Sequence, residues 1–194
     1  MRPERKSLPH LDTGSEVHQI SVGHKVPTRR VAVAVGVARF SNPQVKDIIK
    51  DHALKKGDVL AVARVAGIMA VKNTSNWIPL AHNNVAVEGC SVDLNLVNPE
   101  DEIPTHPLQE SGQSKDMTQP IGSCGGLRIK VTCESTGKTG VEMEAMCGVV
   151  GAALTVVDMC KAVDKEISVG DVKIIGKKGG NSGDWGIFTE GQEE

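Results

Sequence analysis

The segment from Thr136 to about Val163 constrains this chain most. It reads as its longest helix, and the middle of that helix, Cys147-Gly-Val-Val-Gly-Ala-Ala-Leu154, is built almost entirely of small residues. Such a stretch permits close approach of another backbone. Thr139-Gly-Val-Glu142 has the spacing of a capping box at its start. The core around it must be aliphatic, because the 194 residues include only Phe40, Trp77, Trp185 and Phe188 as aromatics and no tyrosine. That scarcity argues against single-strand nucleic-acid binding, which stacks bases on aromatic rings. A net charge of -2 removes the basic field expected for a general nucleic-acid or membrane partner.

Other segments surround this helix with strands. Val31-Ala-Val-Ala-Val-Gly-Val37 alternates β-branched and small residues, as a strand does when one face packs tightly. Ser41-Asn42-Pro43 offers a cap and a proline at the first helical position, followed by Val45, Ile48, Ile49 and Ala53 at helical spacing. Asp58 caps a second helix, Val59 to Lys72, with Val59, Val62, Ala63, Ala66 and Ala70 as its expected buried stripe. Val85 to Leu96 alternates as a long strand that pairs with Leu127 to Cys133, and Gly170 to Lys177 supplies the last strand.

The order predicts an α+β, ferredoxin-like βαββαβ fold: an antiparallel sheet with helices packed on one face and an extra helix after the first strand. Residues 19–178 form one domain between flexible tails at 1–18 and 179–194. Residues 97–126, rich in Pro, Gly, Ser and Gln, make a long hairpin insertion or a locally disordered stretch. The uncovered sheet face is expected to meet another subunit.

Cys90, Cys124, Cys133, Cys147 and Cys160 are odd in number and form no Cys-x-x-Cys pair, which disfavours a zinc site or disulfide framework. Reduced thiols inside the cell fit this pattern. The N-terminus has no apolar run behind its charges and no apolar stretch reaches membrane-spanning length. The expected location is the cytoplasm, or the mitochondrial matrix for a longer targeted precursor.

Several side chains could carry chemistry. Glu142 and Glu144 begin the long helix, while Asp158 and Lys161 end it. Glu144 and Asp158 fall within about 40° of each other around the axis but roughly 21 Å apart along it, so they are no close dyad within one chain. They serve opposite ends of a long ligand or sites completed by different subunits. The plainer readings are a cap for Glu142 and a surface ion pair for Asp158 and Lys161. His82 follows a proline turn, where histidines serve as ligands or as structural groups. Lys56, Lys72, Lys161, Lys177 and Lys178 stand near element ends, placed for phosphates or simply solvated. Glu134-Ser-Thr-Gly-Lys-Thr139 lacks the first glycine of a phosphate loop.

Four segments together resemble a known family: Lys56-Gly-Asp-Val with Ala63-Arg-Val-Ala-Gly-Ile-Met-Ala-Val-Lys72, Ile78-Pro-Leu-Ala-His82, Thr139-Gly-Val-Glu-Met-Glu-Ala145, and Ala152-Ala-Leu-Thr-Val-Val-Asp-Met-Cys-Lys-Ala162. They are similar to the cyclic pyranopterin monophosphate synthases, the MoaC family of molybdenum-cofactor biosynthesis, over about residues 10 to 185 apart from the insertion. The resemblance implies a ferredoxin-like lyase. Its substrate is 3′,8-cyclo-7,8-dihydroguanosine triphosphate, and its products are cyclic pyranopterin monophosphate and pyrophosphate.

It also implies homohexamers, as trimers of dimers, with active sites between subunits and no nucleic-acid or membrane partner. Asp158 matches the family's catalytic aspartate, and Lys56 and Lys161 its essential lysines. Leu80, Ala81 and His82 match a substrate-contacting segment, as do Met143 and Glu144. Lys177 and Arg30 match a C-terminal lysine and an early arginine. Glu142 and Lys72 complete the substrate-binding candidates. Ala81, Asn83, Val157 and Asn181 depart from the family's usual cysteine, proline, tyrosine and lysine. No resident cofactor is implied, although Mg²⁺ can accompany a triphosphate. The alternatives are a non-catalytic effector- or RNA-binding module and a degenerate structural homologue.

Overall fold

A computed structural model describes residues 17–83, 85–101, 123–181 and 183–188. The expected tail at 1–16, the bulk of the insertion at 102–122 and the last residues, 189–194, lie outside the described residues. The elements run β1 (Thr28–Arg39), α1 (Gln44–Lys50), α2 (Val59–Lys72), α3 (Thr74–Trp77), β2 (Gly89–Val97), β3 (Gly126–Gly137), α4 (Glu142–Cys160), β4 (Ser168–Lys178) and β5 (Trp185–Gly186). The sheet order is β2-β3-β1-β4-β5, with every pairing antiparallel. Helices α2 and α4 cover one face, which gives the α+β ferredoxin-like arrangement, extended by one edge strand.

The alternation in β1 divides the core. Ala32, Ala34 and Ala38 join the large cluster under the helices, together with Leu127, Ile129, Val131 and Cys133 from β3. Their small side chains let α4 settle close to the sheet, and at Gly36 any Cβ would meet Val149 of α4. Each fully buried Leu, Ile or Val contributes roughly 1.5–3 kcal/mol by leaving water. Val33 and Val35 face the other way and cluster with Ile175, against which Ile187 and Phe188 pack. The second face, expected to await another subunit, is therefore partly covered by the chain's own C-terminal segment. That segment was expected to leave as a tail from residue 179 but adds β5 beside β4.

The small residues of α4 act as expected. A Cβ at Gly148 would press on Val71 of α2 and Val131 of β3, and one at Gly151 would run into Ala70 of α2. A bulky residue at position 151 would push α2 off α4. By composition α4 alone among the described helices is long and apolar enough to cross a membrane, yet it is the packed core helix here.

Several boundaries differ from the sequence reading. β2 begins at Gly89, not Val85; β3 runs on through Thr136 to Gly137, so α4 starts at Glu142 rather than Thr136, and it stops at Cys160, with residues 161–163 turning away. On α2, Val62 is 44% exposed, while Gly67 and Val71 are buried in its place. Asp58 caps α2 as expected, accepting a 3.0 Å bond from the Ala61 N–H. The capping box on α4 is absent. Val141, which has no polar side chain to cap with, occupies the N-cap, and the Glu142 carboxylate is engaged by Lys177 at 2.5 Å.

Just beyond α4, buried Asp164 accepts the Ser41 hydroxyl at 2.5 Å and the N–H groups of Ser41 at 2.8 Å and of Asn42 and Glu166 at 3.1 Å. This carboxylate ties the end of β1 to the end of α4.

Candidate active site

The N-terminal end of α4 forms one wall of a cleft of about 480 Å³. Glu142, Met143 and Glu144 come from the first turn of the helix, Leu80, Ala81 and His82 from the loop after α3, and Ile20, Val22 and Lys25 from the strap leading into β1. Six of the sequence candidates thus meet in one place. The strap is held by side chains: Gln19 donates to the Ala81 carbonyl at 3.0 Å, and Lys138 donates to the Gly23 carbonyl at 2.7 Å. His82 Nε2 lies 3.0 Å from the Ile20 carbonyl. A carbonyl only accepts, so this contact places a proton on Nε2.

Glu144 is 5% exposed. Burial pushes its carboxyl up and the Glu142 charge adds to the rise, while a backbone N–H and His82 oppose it. A carboxyl so placed holds its proton to higher pH than a free one, which suits acid–base work.

Arg30 and Lys177 extend this region across the sheet. Lys177 stands opposite Ala32 on β1, two residues from Arg30. Arg30 is buried, and its Nε has no hydrogen-bond partner. Its guanidinium lies over Gly179 and Gly180, whose φ values of 82° and 89° open a turn that a side chain at Gly180 would block. A buried, partnerless donor on a cation beside a glycine turn suits an anionic oxygen.

The other candidates stand at the opposite end of α4. Asp158 accepts from Lys161 Nζ at 2.7 Å and from Lys56 Nζ at 2.8 Å, and Lys56 also reaches the Asp158 carbonyl at 2.8 Å. The bond from Lys161, then that from Lys56, holds the carboxyl down at about 2. The group is open to water, with the Asp158 side chain 57% exposed. Two ammonium groups fixed 2.7–2.8 Å from one carboxylate make a cationic platform for phosphate oxygens. Lys72 joins neither cluster. It is exposed at the end of α2, where its charge acts on Cys90.

Sequence reasoning missed the Glu142–Lys177 pair, the anchoring role of Asp164 and the place of Lys25 in the cleft. Lys25 is a single lysine before β1 with no periodicity or motif to mark it. Among the described residues no three His, Cys, Asp or Glu side chains gather as ligands for a metal ion.

The fold and these two clusters define a small ferredoxin-like α+β protein with an acidic cleft and a lysine-flanked aspartate at opposite ends of one core helix. The chain belongs to the MoaC family, whose model matches residues 19–180. It is 41% identical over 178 residues to the cyclic pyranopterin monophosphate synthase of Clostridium perfringens (strain SM101 / Type A), covering 92% of this chain and 96% of that protein. To the protein of the same name from Chloroflexus aurantiacus (strain ATCC 29366 / DSM 635 / J-10-fl) it is 42% identical over 185 residues, covering 95% and 98%.

Proposed function

We propose that the chain catalyses the conversion of (8S)-3′,8-cyclo-7,8-dihydroguanosine 5′-triphosphate to cyclic pyranopterin monophosphate and pyrophosphate, an early step of molybdenum-cofactor biosynthesis. Membership of the family and the names of the relatives support the lyase activity. The observation that carries the site assignment is the division of polar groups between the two ends of α4. In this reading the purine-derived ring lies in the cleft. Glu144 and His82 exchange protons with it as it opens and recloses, and Leu80, Ala81 and Met143 provide the walls.

Arg30 and Lys177 hold phosphate oxygens beside the glycine turn, with Glu142 orienting Lys177. Lys56 and Lys161 hold the remaining phosphates. A sugar hydroxyl attacks the α-phosphorus: the new O–P bond forms, the bond to pyrophosphate breaks, and the hydroxyl proton passes to Asp158. Asp158 is a weak base while open to water. Enclosure by substrate and a second subunit strips water from the carboxylate and raises its affinity for the proton.

A second subunit is needed because the cleft and Asp158 are about 21 Å apart along one helix. Leu154, 55% exposed, lies four residues before Asp158 on the same face of α4. It borders a groove of about 400 Å³ with Met69 and Trp77, beside exposed Val62 and Val65. A second copy seated there would bring its own cleft toward Asp158. We assign the assembly as a homo-oligomer, a hexamer of three dimers in the full form. Five free thiols suit a reducing compartment inside the cell, the cytoplasm or the mitochondrial matrix. In this scheme Mg²⁺ enters with the triphosphate as its counter-ion.

Incubating the purified chain with the cyclic triphosphate tests the reading. Release of pyrophosphate with formation of the cyclic monophosphate is expected. Tight binding without release would favour a non-catalytic effector module, and neither binding nor release would favour a structural homologue.

A further inference from the structure

Cys90 on β2 and Cys133 on β3 stand directly opposite each other in the antiparallel register. Opposed residues in such a ladder project to the same side of the sheet, here the side that faces the helices. Their Cα atoms lie about 4.5–5.5 Å apart, inside the range of about 4.4–6.8 Å that a disulfide spans. All five cysteines are nonetheless free thiols. We propose that Cys90 and Cys133 form a redox-sensitive dithiol that closes to a cross-strand disulfide when a small disulfide oxidant reaches Cys90.

The two thiols are not equivalent, which sets the order of events. Cys90 is partly exposed on the outer strand, whereas Cys133 is wholly buried. Interaction with Cys133 lowers the Cys90 thiol; burial opposes the change and the nearby Lys72 charge assists it. The same interaction raises Cys133, together with burial and the charges of Cys90 and Glu144. Attack therefore begins from Cys90, the accessible sulfur with the greater thiolate character.

The Cys90 thiolate attacks one sulfur of a disulfide RSSR, forms a mixed disulfide and releases RS⁻. Cys133 gives its proton to that RS⁻, and its sulfur then displaces the second RS⁻ from Cys90. This second thiolate takes up the proton that Cys90 lost on ionising. Two protein thiols are oxidised to one disulfide and RSSR is reduced to two RSH. This chemistry uses the Lys72 charge beside Cys90. It does not depend on the proposed activity.

Of the remaining cysteines, Cys147 and Cys160 are buried, and Cys124 donates to the Ser41 carbonyl at 3.2 Å. Cys124 is the natural competitor for the oxidant. The test treats the native full chain with oxidised glutathione, blocks residual thiols and maps the peptides by mass. The expected product joins Cys90 to Cys133, lighter by two hydrogen atoms, with the free-thiol count falling from five to three and returning on reduction.

In Cys133→Ser the reaction stops at glutathione on Cys90, and in Cys90→Ser the Cys133 thiol stays unmodified. The wild-type map decides the matter even if either variant folds poorly. Glutathione persisting on wild-type Cys90 without the link, reaction confined to Cys124, or no reaction at all would overturn the proposal.

Discussion

The two ends of α4 carry carboxylates of similar chemistry in opposite surroundings. At the N-terminal end Glu144 is 5% exposed and burial pushes its carboxyl up. At the C-terminal end Asp158 is open to water and two lysines hold it down at about 2. One end holds a proton more readily than a free carboxyl, while the other stays ionised when open to water and organises two cations. In the proposed mechanism neither cluster is a complete catalytic apparatus. Proton exchange with the ring is suited to the cleft, and phosphate chemistry to the lysines.

The largest effect that probes this division is expected at Asp158. Replacing it by Asn leaves two ammonium groups without their template and removes the proposed proton acceptor. Turnover should fall by about 10²–10⁴-fold, with the circular-dichroism spectrum and assembly unchanged. Turnover within a few-fold of wild type would remove Asp158 from the mechanism.

Glu144→Gln comes next, with a loss of about 10²-fold in kcat. Its stability should move the other way. A buried carboxyl with a raised pKa binds its proton more tightly in the folded state, so its favourable contribution is complete at low pH and lost as pH rises through the folded value. The neutral amide escapes that loss. Thermal unfolding of Glu144→Gln at pH 7 should therefore occur at or above the wild-type temperature, and its stability should vary less between pH 4 and 7. A marked drop at pH 7 would show that the carboxylate is held by partners rather than penalised by burial.

The smallest effect concerns the other end. Removing the Lys161 charge by Lys161→Gln deletes the first cause of the low Asp158 value and leaves Lys56 in place. The Asp158 carboxyl, followed by NMR titration, should rise from about 2 part of the way toward the ordinary value of about 3.9. An unmoved titration would mean that the ion pair contributes nothing in solution.

Much of the fold was legible because periodicity and small residues leave few options. The Val–Ala alternation of residues 31–37 marked the central strand, Asp58 marked the start of α2, and the glycines of α4 marked a tight helix pair. The errors have physical causes. Thr139 and Glu142 have the spacing of a capping box, but Lys177, distant in sequence, offers Glu142 a full charge and wins it. Val62 fits a helical stripe, yet Gly67 and Val71 sit at the α2–α4 contact because the glycines of α4 admit that side of the helix. At the site, motif matching gathered the residues of both clusters. It did not reveal that Lys25 and the strap close the cleft. That closure arises from long-range packing, which leaves no local mark.

The central claim is that a working site joins the cleft of one subunit to the Asp158 cluster of another. The most direct measurement is to unfold Glu144→Gln and Asp158→Asn together, refold them as a mixture and assay turnover. Random pairing into dimers produces mixed pairs in which one of the two sites regains both groups, so activity should recover to about a quarter of wild type. A refolded, properly assembled mixture no more active than the separate variants would contradict the claim, and would place both carboxylates in a site built by a single chain.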